Sequence, residues 1–348
     1  MQQDWQAFLI SEGATIVNEQ VNNFDTPLKE TVLSNTSDIC SDLSHYRLFR
    51  VSGADANSFL QGQLSNDINL VTENTTQMSS YCSPKGRAFA LFRVFKIQDN
   101  YYLSLPAEVA EKTINRLKMF IMRSDVAIDD VSDDFFHIGI AGEKLSNILC
   151  DIFQLSQCPE NADDCALSGV TSIQKLAGNR ERFELFGPIE KAKNIWNQLN
   201  QHCTAVGQSA WNLQRINAGI PEILTNTSEA FVPQMLNLQL INAVNFQKGC
   251  YPGQEIVART KYLGKLKKRL FLAEIHSAES VEIGTDIYES GENQQSVGKI
   301  VLSEPNSEET TRILAVLQIT ATEKQPLFVH QKDGEKLHLL ELPYSLEE

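Results

Sequence analysis

The chain has 348 residues, of which 42% are hydrophobic and 21% charged, with a formal net charge of -14. That length suits two or three modest domains better than one small core, and the ordinary composition excludes a largely disordered chain. The acidic balance argues against a general nucleic-acid coat and against DNA as a partner, because the summed field repels phosphate.

The opening MQQDWQAFLISEG carries Asp4 and Glu12 and lacks a basic segment leading into an apolar run, unlike a secretory leader. No uninterrupted apolar run approaches the length of a membrane span. The seven cysteines, Cys40, Cys82, Cys150, Cys158, Cys165, Cys203 and Cys250, are odd in number and scattered. They read as reduced thiols of a cytoplasmic protein. Cys158 and Cys165, in CPENADDC, are the nearest pair, but their spacing matches no metal knuckle, and no metal site is expected.

In chain order, the first forty residues are polar, and Pro27 is expected to break any long helix there. YRLFRVS reads as a strand ending at Gly53, followed by a short helix with Asp55 at its N-cap and Phe59 and Leu60 inward. The turn SPKG precedes a buried strand, Phe89 to Ile97, and YYLSLP is its hairpin partner beyond Asp99-Asn100. Residues 107 to 122 carry Val109, Ile114, Leu117 and Ile121 at helical spacing. A second strand-then-helix unit follows, with RFELF as strand and Ala192, Ile195, Trp196, Leu199 and Cys203 as one helical stripe packed in a core. WNLQRINAGIPEI reads as a short helix ending at Gly219. After about Leu270 only short apolar runs separated by Gly, Asp, Asn and Pro remain, the texture of a small β-barrel or sandwich without helices. The fold class is therefore α+β for three quarters of the chain and all-β at its end.

The densest chemistry lies in KGCYPGQE, residues 248 to 255. Gly249 and Gly253 free the backbone around Cys250 to adopt positive φ, and Pro252 stiffens the turn. Lys248 and Arg259 are cations of the kind that stabilise a thiolate, whereas Glu255 acts oppositely if close. From spacing alone, Cys250 is either a reactive thiol or a small filler in a glycine-rich turn. Arg259, Lys261, Lys265, Lys267, Lys268 and Arg269 then place six cations in eleven residues. This strip is either an anion site, for a polyglutamate tail, a phosphate or an RNA backbone, or a solvated linker face. Tyr46 and Trp211 are the aromatic positions suited to gripping a flat heteroaromatic ligand, or else to core packing.

FLQGQLSNDI, SPKGRAFALFRVF, WNLQRINAGIPEI, FVPQMLNLQLINAVNFQKGCYPGQEIVARTKYLG and the terminal LPYSLEE occur in the order seen in the bacterial YgfZ family, which the chain resembles from about His45 to its end. The family is related to the glycine-cleavage aminomethyltransferase. The resemblance implies a three-domain ring, with two ferredoxin-like α/β domains and a C-terminal β-barrel. It implies domains at 1–45 with 130–240, at 46–129 with 241–266 carrying the KGCYPGQE loop, and at 267–348. It also implies a tetrahydrofolate or other reduced-folate cofactor held by Tyr46 and Trp211, with Tyr46 standing where the family has a tryptophan. Cys250 falls on the motif's functional thiol, with Lys248 and Arg259 beside it and Gly249, Tyr251, Gly253, Gln254 and Glu255 forming the motif loop.

GRAFALFRVF lacks the carboxylate that the aminomethyltransferase uses at the folate nitrogen, which disfavours that activity. The expected function is a folate-binding accessory protein that supports iron–sulfur cluster assembly or repair, and thereby tRNA modification. Its expected partners are folate and iron–sulfur enzymes or assembly factors, with the effect on tRNA indirect. The rivals are a folate-dependent one-carbon transferase acting on tRNA or protein, and a non-catalytic docking module using the basic strip 259–269.

Overall fold

In the computed structural model, which describes residues 1–290, 295–323, 326–331 and 334–347, the polar start of the chain is ordered. Helix Gln3–Ser11, a hairpin of Thr15–Val17 with Gln20–Asn23, and helix Pro27–Ser34 follow one another. Pro27 opens a helix instead of breaking one, since at the first helical position its missing N–H is no loss and its fixed φ already fits.

The chain divides into two compact units. Met1–Gln61, Ile68–Gln77 and Phe92–Gln214 form one, and Gly62–Asp67, Met78–Leu91 and the chain from Arg215 onward form the other. These do not coincide with the three expected segments, although the six-stranded sheet draws its strands from 39–206 outside 46–130, and the barrel draws its strands from beyond 267. The last residue of the expected barrel segment and of LPYSLEE, Glu348, lies outside the described residues.

The first unit holds a six-stranded sheet in the order Cys165–Ser168, Thr171–Leu176, Glu181–Pro188, Phe135–Gly142, Ile39–Asp42 and Thr204–Val206. Its last pairing is parallel and the others are antiparallel. One face is largely apolar, with Asp42 buried on it as the acceptor of the Trp5 indole N–H. Phe136, Ile138, Ile140, Ile173, Phe183 and Leu185 pack there against Leu145, Leu149, Trp196 and Leu199 of two helices. Each large side chain so buried contributes roughly 1.5–3 kcal/mol. Trp196 and Cys203 both sit in this core, although helix Ala192–Leu199 ends before Cys203. The strands Asn100–Pro106, Tyr46–Ser52 and Ala127–Asp130 are also neighbours in this unit. The Asp55 carboxylate accepts from the Asp125 N–H at 2.8 Å. Helix Ala107–Lys118 stops four residues before the expected end at 122, leaving Met119, Phe120 and Met122 exposed.

The second unit ends in a closed barrel, in the order Lys268–Ile275, Thr311–Gln318, Gly298–Pro305, Asp286–Glu289, Leu327–Val329 and Lys336–Leu340. Ile275, Ile287, Ile300, Ile313, Leu317 and Val329 fill it. A one-turn helix, Ile319–Thr322, interrupts a run of strands expected to be helix-free. The WNLQRINAGIPEI and LPYSLEE motifs meet here. Gly219, at φ +68°, has no room for a side chain against Leu342 and Tyr344, and Tyr344 Oη donates to the Gly219 carbonyl at 2.9 Å. Among the described residues no helix is long and apolar enough to cross a membrane, and no group of three or more His, Cys, Asp or Glu is placed to hold a metal ion.

Candidate functional site

The thiol loop is built on a bed of polar groups from distant parts of the second unit. Asn245 Oδ1 accepts from the backbone N–H groups of Gln247 (2.8 Å) and Lys248 (3.1 Å), which turns the chain into the loop. Gln254 Nε2 closes it by donating to the Lys248 carbonyl at 3.4 Å. Helix Gln254–Tyr262 leaves the loop from Gly253, at φ +78°. A side chain at Gly253 would lie 2.4 Å from the Ser83 carbonyl and 2.6 Å from Gly86, while one at Gly86 would meet Ile256 and the Gly253 carbonyl. The SPKG turn and the KGCYPGQE loop therefore interlock glycine to glycine. Gly249 differs from the expectation of positive φ. It is not among the positive-φ glycines, and a Cβ there would touch nothing within 4 Å.

Cys250 is the exposed cysteine of the chain, whereas Cys40, Cys82, Cys158, Cys165 and Cys203 are buried and Cys150 is half-buried. Beneath the loop, burial pushes the Cys82 thiol up to about 11, against a hydrogen bond from Ser80. Burial also raises the Tyr251 phenol, with Cys82 adding to the effect. Lys248 is 8% exposed. Its ammonium donates to the carbonyls of Leu64 (2.5 Å) and Asn66 (3.1 Å) and lies 5.3 Å from the centre of the Tyr251 ring. Burial pulls the Lys248 amine down to about 8, partly opposed by the Asp67 carboxylate. Arg259 is exposed in the last turn of the helix and Glu255 is exposed in the first.

Around the loop, most buried polar groups are matched, Ser83 Oγ and Gln234 Oε1 excepted. Ser65 Oγ donates to the Ala243 carbonyl and accepts from Ser80, each at 2.8–2.9 Å. Asn66 Nδ2 donates to the carbonyls of Met78 (3.0 Å) and Asn242 (2.6 Å), and its N–H reaches Ser79 Oγ at 2.9 Å.

Tyr46 and Trp211 are brought together in the first unit, in one buried cluster with Ile39, Leu43, Ala141, Leu176, Val206 and Ala210. That cluster covers the second face of the six-stranded sheet. Trp211 is fully buried and lies so close to Gly139 that a side chain there would stand 2.8 Å from its ring. The Arg182 guanidinium sits 4.9 Å from the Trp211 ring centre. Tyr46 packs edge-on to His137 at 5.5 Å, and His137 stacks on Phe186 at 4.0 Å. Sequence reasoning missed the polar residues of this face. Gln174, Arg182 and Glu184 are nearly wholly buried, and His137 Nε2 faces Glu184 Oε2 at 3.6 Å. The Gln174 Oε1 and Trp211 Nε1 atoms are buried without a hydrogen-bond partner among the described residues.

Residues 19–248 match the family model of the GCVT N-terminal domain. The crystal structure of the glycine cleavage system aminomethyltransferase T from Bartonella henselae superposes with a TM-score of 0.81 at 15% identity, covering 99% of this chain and 97% of that one. The sheets and barrel are thus those of an aminomethyltransferase-like fold. Sequence similarity narrows the class. The tRNA-modifying protein YgfZ of Colwellia psychrerythraea is 34% identical over 262 residues, 75% of this chain and 79% of the relative. The chain belongs to the YgfZ family.

Proposed function

We propose that this chain is a folate-binding accessory protein that supports tRNA modification, with Cys250 as its working thiol. We extend the proposal to the finer role of helping iron–sulfur enzymes or their assembly factors maintain the clusters that tRNA modification requires. The observation that carries the reading is the contrast among the cysteines: Cys250 alone is exposed, on a loop shaped by the Gly86–Gly253 contact. A core filler would sit with the other thiols. The similarity to a protein named as tRNA-modifying supports the direction of the function.

The buried face around Trp211 fits a pteridine in its chemistry. A ring that carries both donors and acceptors can satisfy Gln174 Oε1 and Trp211 Nε1, and buried polar atoms rarely go unmatched. Tyr46 and Trp211 would hold the ring, with Gln174 and Glu184 as polar neighbours. Arg182 already lies against the Trp211 ring, so stacking there requires that guanidinium to yield. Bound reduced folate supplies a one-carbon carrier. Strand Ala88–Ile97 offers no carboxylate for acid–base work on it, which favours an accessory role over aminomethyl transfer.

Calorimetric titration with tetrahydrofolate tests this. Wild type and Cys250→Ala are expected to bind and Trp211→Ala to lose binding, while Cys250→Ala fails to rescue a deletion strain. Full rescue by Cys250→Ala would remove the thiol role, and absence of binding heat in wild type would remove folate.

A further inference from the structure

We infer that the last turn of helix Gln254–Tyr262, with the segment that follows through Lys267, is a docking strip for single-stranded RNA, with Tyr262 as a platform for a base and Arg259, Lys265 and Lys267 on the phosphates. The inference rests on the tRNA side of the proposed function and is independent of folate binding.

The strip combines two features that rarely occur together on an acidic surface. The first is charge of one sign. From Gly249 to Ala273 the sole carboxylate is Glu255, and it stands at the opposite end of the helix from Tyr262, while six cations follow from Arg259 to Arg269. Arg259, Lys265 and Lys267 are exposed. On a chain of net charge -14, such a segment concentrates polyanion binding at one place, because the rest of the surface repels it.

The second feature is an exposed ring held in position. Tyr262 is 66% exposed and Leu263 83% exposed, which is unusual for large apolar groups beside each other. Tyr262 meets Phe246 in a T-shaped contact, with ring centres 6.3 Å apart and planes at 72°. Phe246 is itself half-buried, with the Lys261 ammonium 5.5 Å from its ring centre. The Tyr262 side chain thus touches a second ring while most of its surface stays open. Arg259 lies three residues before it, on the same side of the helix. Cations flanking an open aromatic ring match the recognition of unstacked bases, in which rings stack on the base and cations track the backbone. An acidic protein partner would use the charges but has no need of an open ring with cations on both sides.

Fluorescence anisotropy with the full-length protein tests the strip, using an unmodified tRNA transcript and a single-stranded oligoribonucleotide as probes. The Lys265→Ala/Lys267→Ala double variant is expected to bind about tenfold more weakly at low salt. Its slope of log affinity against log salt should fall by about 1.4, since each phosphate neutralised on a single strand adds roughly 0.7. Tyr262→Ala is expected to weaken binding about tenfold with the slope unchanged, and Tyr262→Trp to restore it. A charge-matched control, Lys118→Ala/Lys336→Ala, should behave as wild type. RNA binding that is absent in wild type, or unchanged in both strip variants, overturns the inference. So does displacement of RNA by polyglutamate with indifference to Tyr262→Ala, which would assign the strip to an acidic protein. Tetrahydrofolate titration of the same samples separates the two readings: RNA binding without folate heat removes only the folate reading, and folate heat without RNA binding removes only this inference.

Discussion

Two regions bury polar groups in this protein, and they do so differently. Under the thiol loop of the second unit, Ser65, Asn66, Ser79, Ser80 and Lys248 are tied mainly to backbone groups, while Ser83 Oγ and, against the helix that leaves the loop, Gln234 Oε1 are unmatched. On the second face of the six-stranded sheet, Gln174 Oε1 and Trp211 Nε1 have no partner among the described residues, and His137 stands too far from Glu184 for a full hydrogen bond. A matched network fixes a backbone shape, whereas an incomplete one is a standing free-energy cost. The first region acts as scaffold for an exposed thiol. The second leaves buried polar atoms unmatched, which under the proposed function the folate ring would complete.

The largest test of this contrast is Asn66→Ala. It strips donors from the Met78 and Asn242 carbonyls, and a loss of about 3 kcal/mol is expected in urea unfolding, because groups left buried and unpaired carry most of the penalty. Next is Gly253→Ala, which forces a side chain into positive φ and onto the Ser83 carbonyl, for about 2 kcal/mol. Gly249→Ala should change stability by less than about 0.5 kcal/mol, since its site is open. Equal effects of the two glycine variants would break the picture of a loop locked from one side.

An effect on the order of 1 kcal/mol, below that of Gly253→Ala, is expected from pH at Lys248. Its amine titrates near 8 when folded and about 10.4 when unfolded, so between those values the unfolded chain binds more protons. The burden of the buried charge is full below pH 8 and is relieved as pH rises toward 10.4. Comparing urea midpoints of wild type and Lys248→Met across that window cancels the opposing titration of buried groups such as Cys82. The stability of the variant relative to wild type should fall as pH rises, and a constant difference would show that the charge is not buried as described. Smallest in stability is Gln174→Leu. If its face is kept for a ligand, the midpoint should move by less than about 0.5 kcal/mol while tetrahydrofolate affinity falls about tenfold. A destabilisation comparable to that of Asn66→Ala would make both regions scaffold.

The barrel is legible in the sequence because its strands are short, apolar and punctuated, and KGCYPGQE because glycine and proline around a cysteine break the periodicity of a core. The polar sheet face is not legible. In TSIQKL and RFELF, alternation of polar and apolar residues reads as a strand with one side in water, yet Gln174 and Glu184 are as buried as their apolar neighbours. Nor can periodicity show that the helix after Pro106 ends at Lys118, since Ile121 keeps its apolar spacing although Met119, Phe120 and Met122 around it stand in solvent. Lys248 is expected beside the thiol as a cation, but nothing in the sequence signals that its ammonium is engaged by Leu64 and Asn66.

The Gly86–Gly253 contact also sets an order of events. The two glycines stand far apart along the chain, so the loop carrying Cys250 cannot take its final shape until both its own helix and the earlier turn exist and have met. Contacts of such separation form late, after the entropy of closing the intervening chain has been overcome. On the ribosome the SPKG turn emerges first and waits. The shape in which the loop holds Cys250 thus depends on a contact between two segments far apart along the chain, so that shape is lost whenever the SPKG turn and the loop separate.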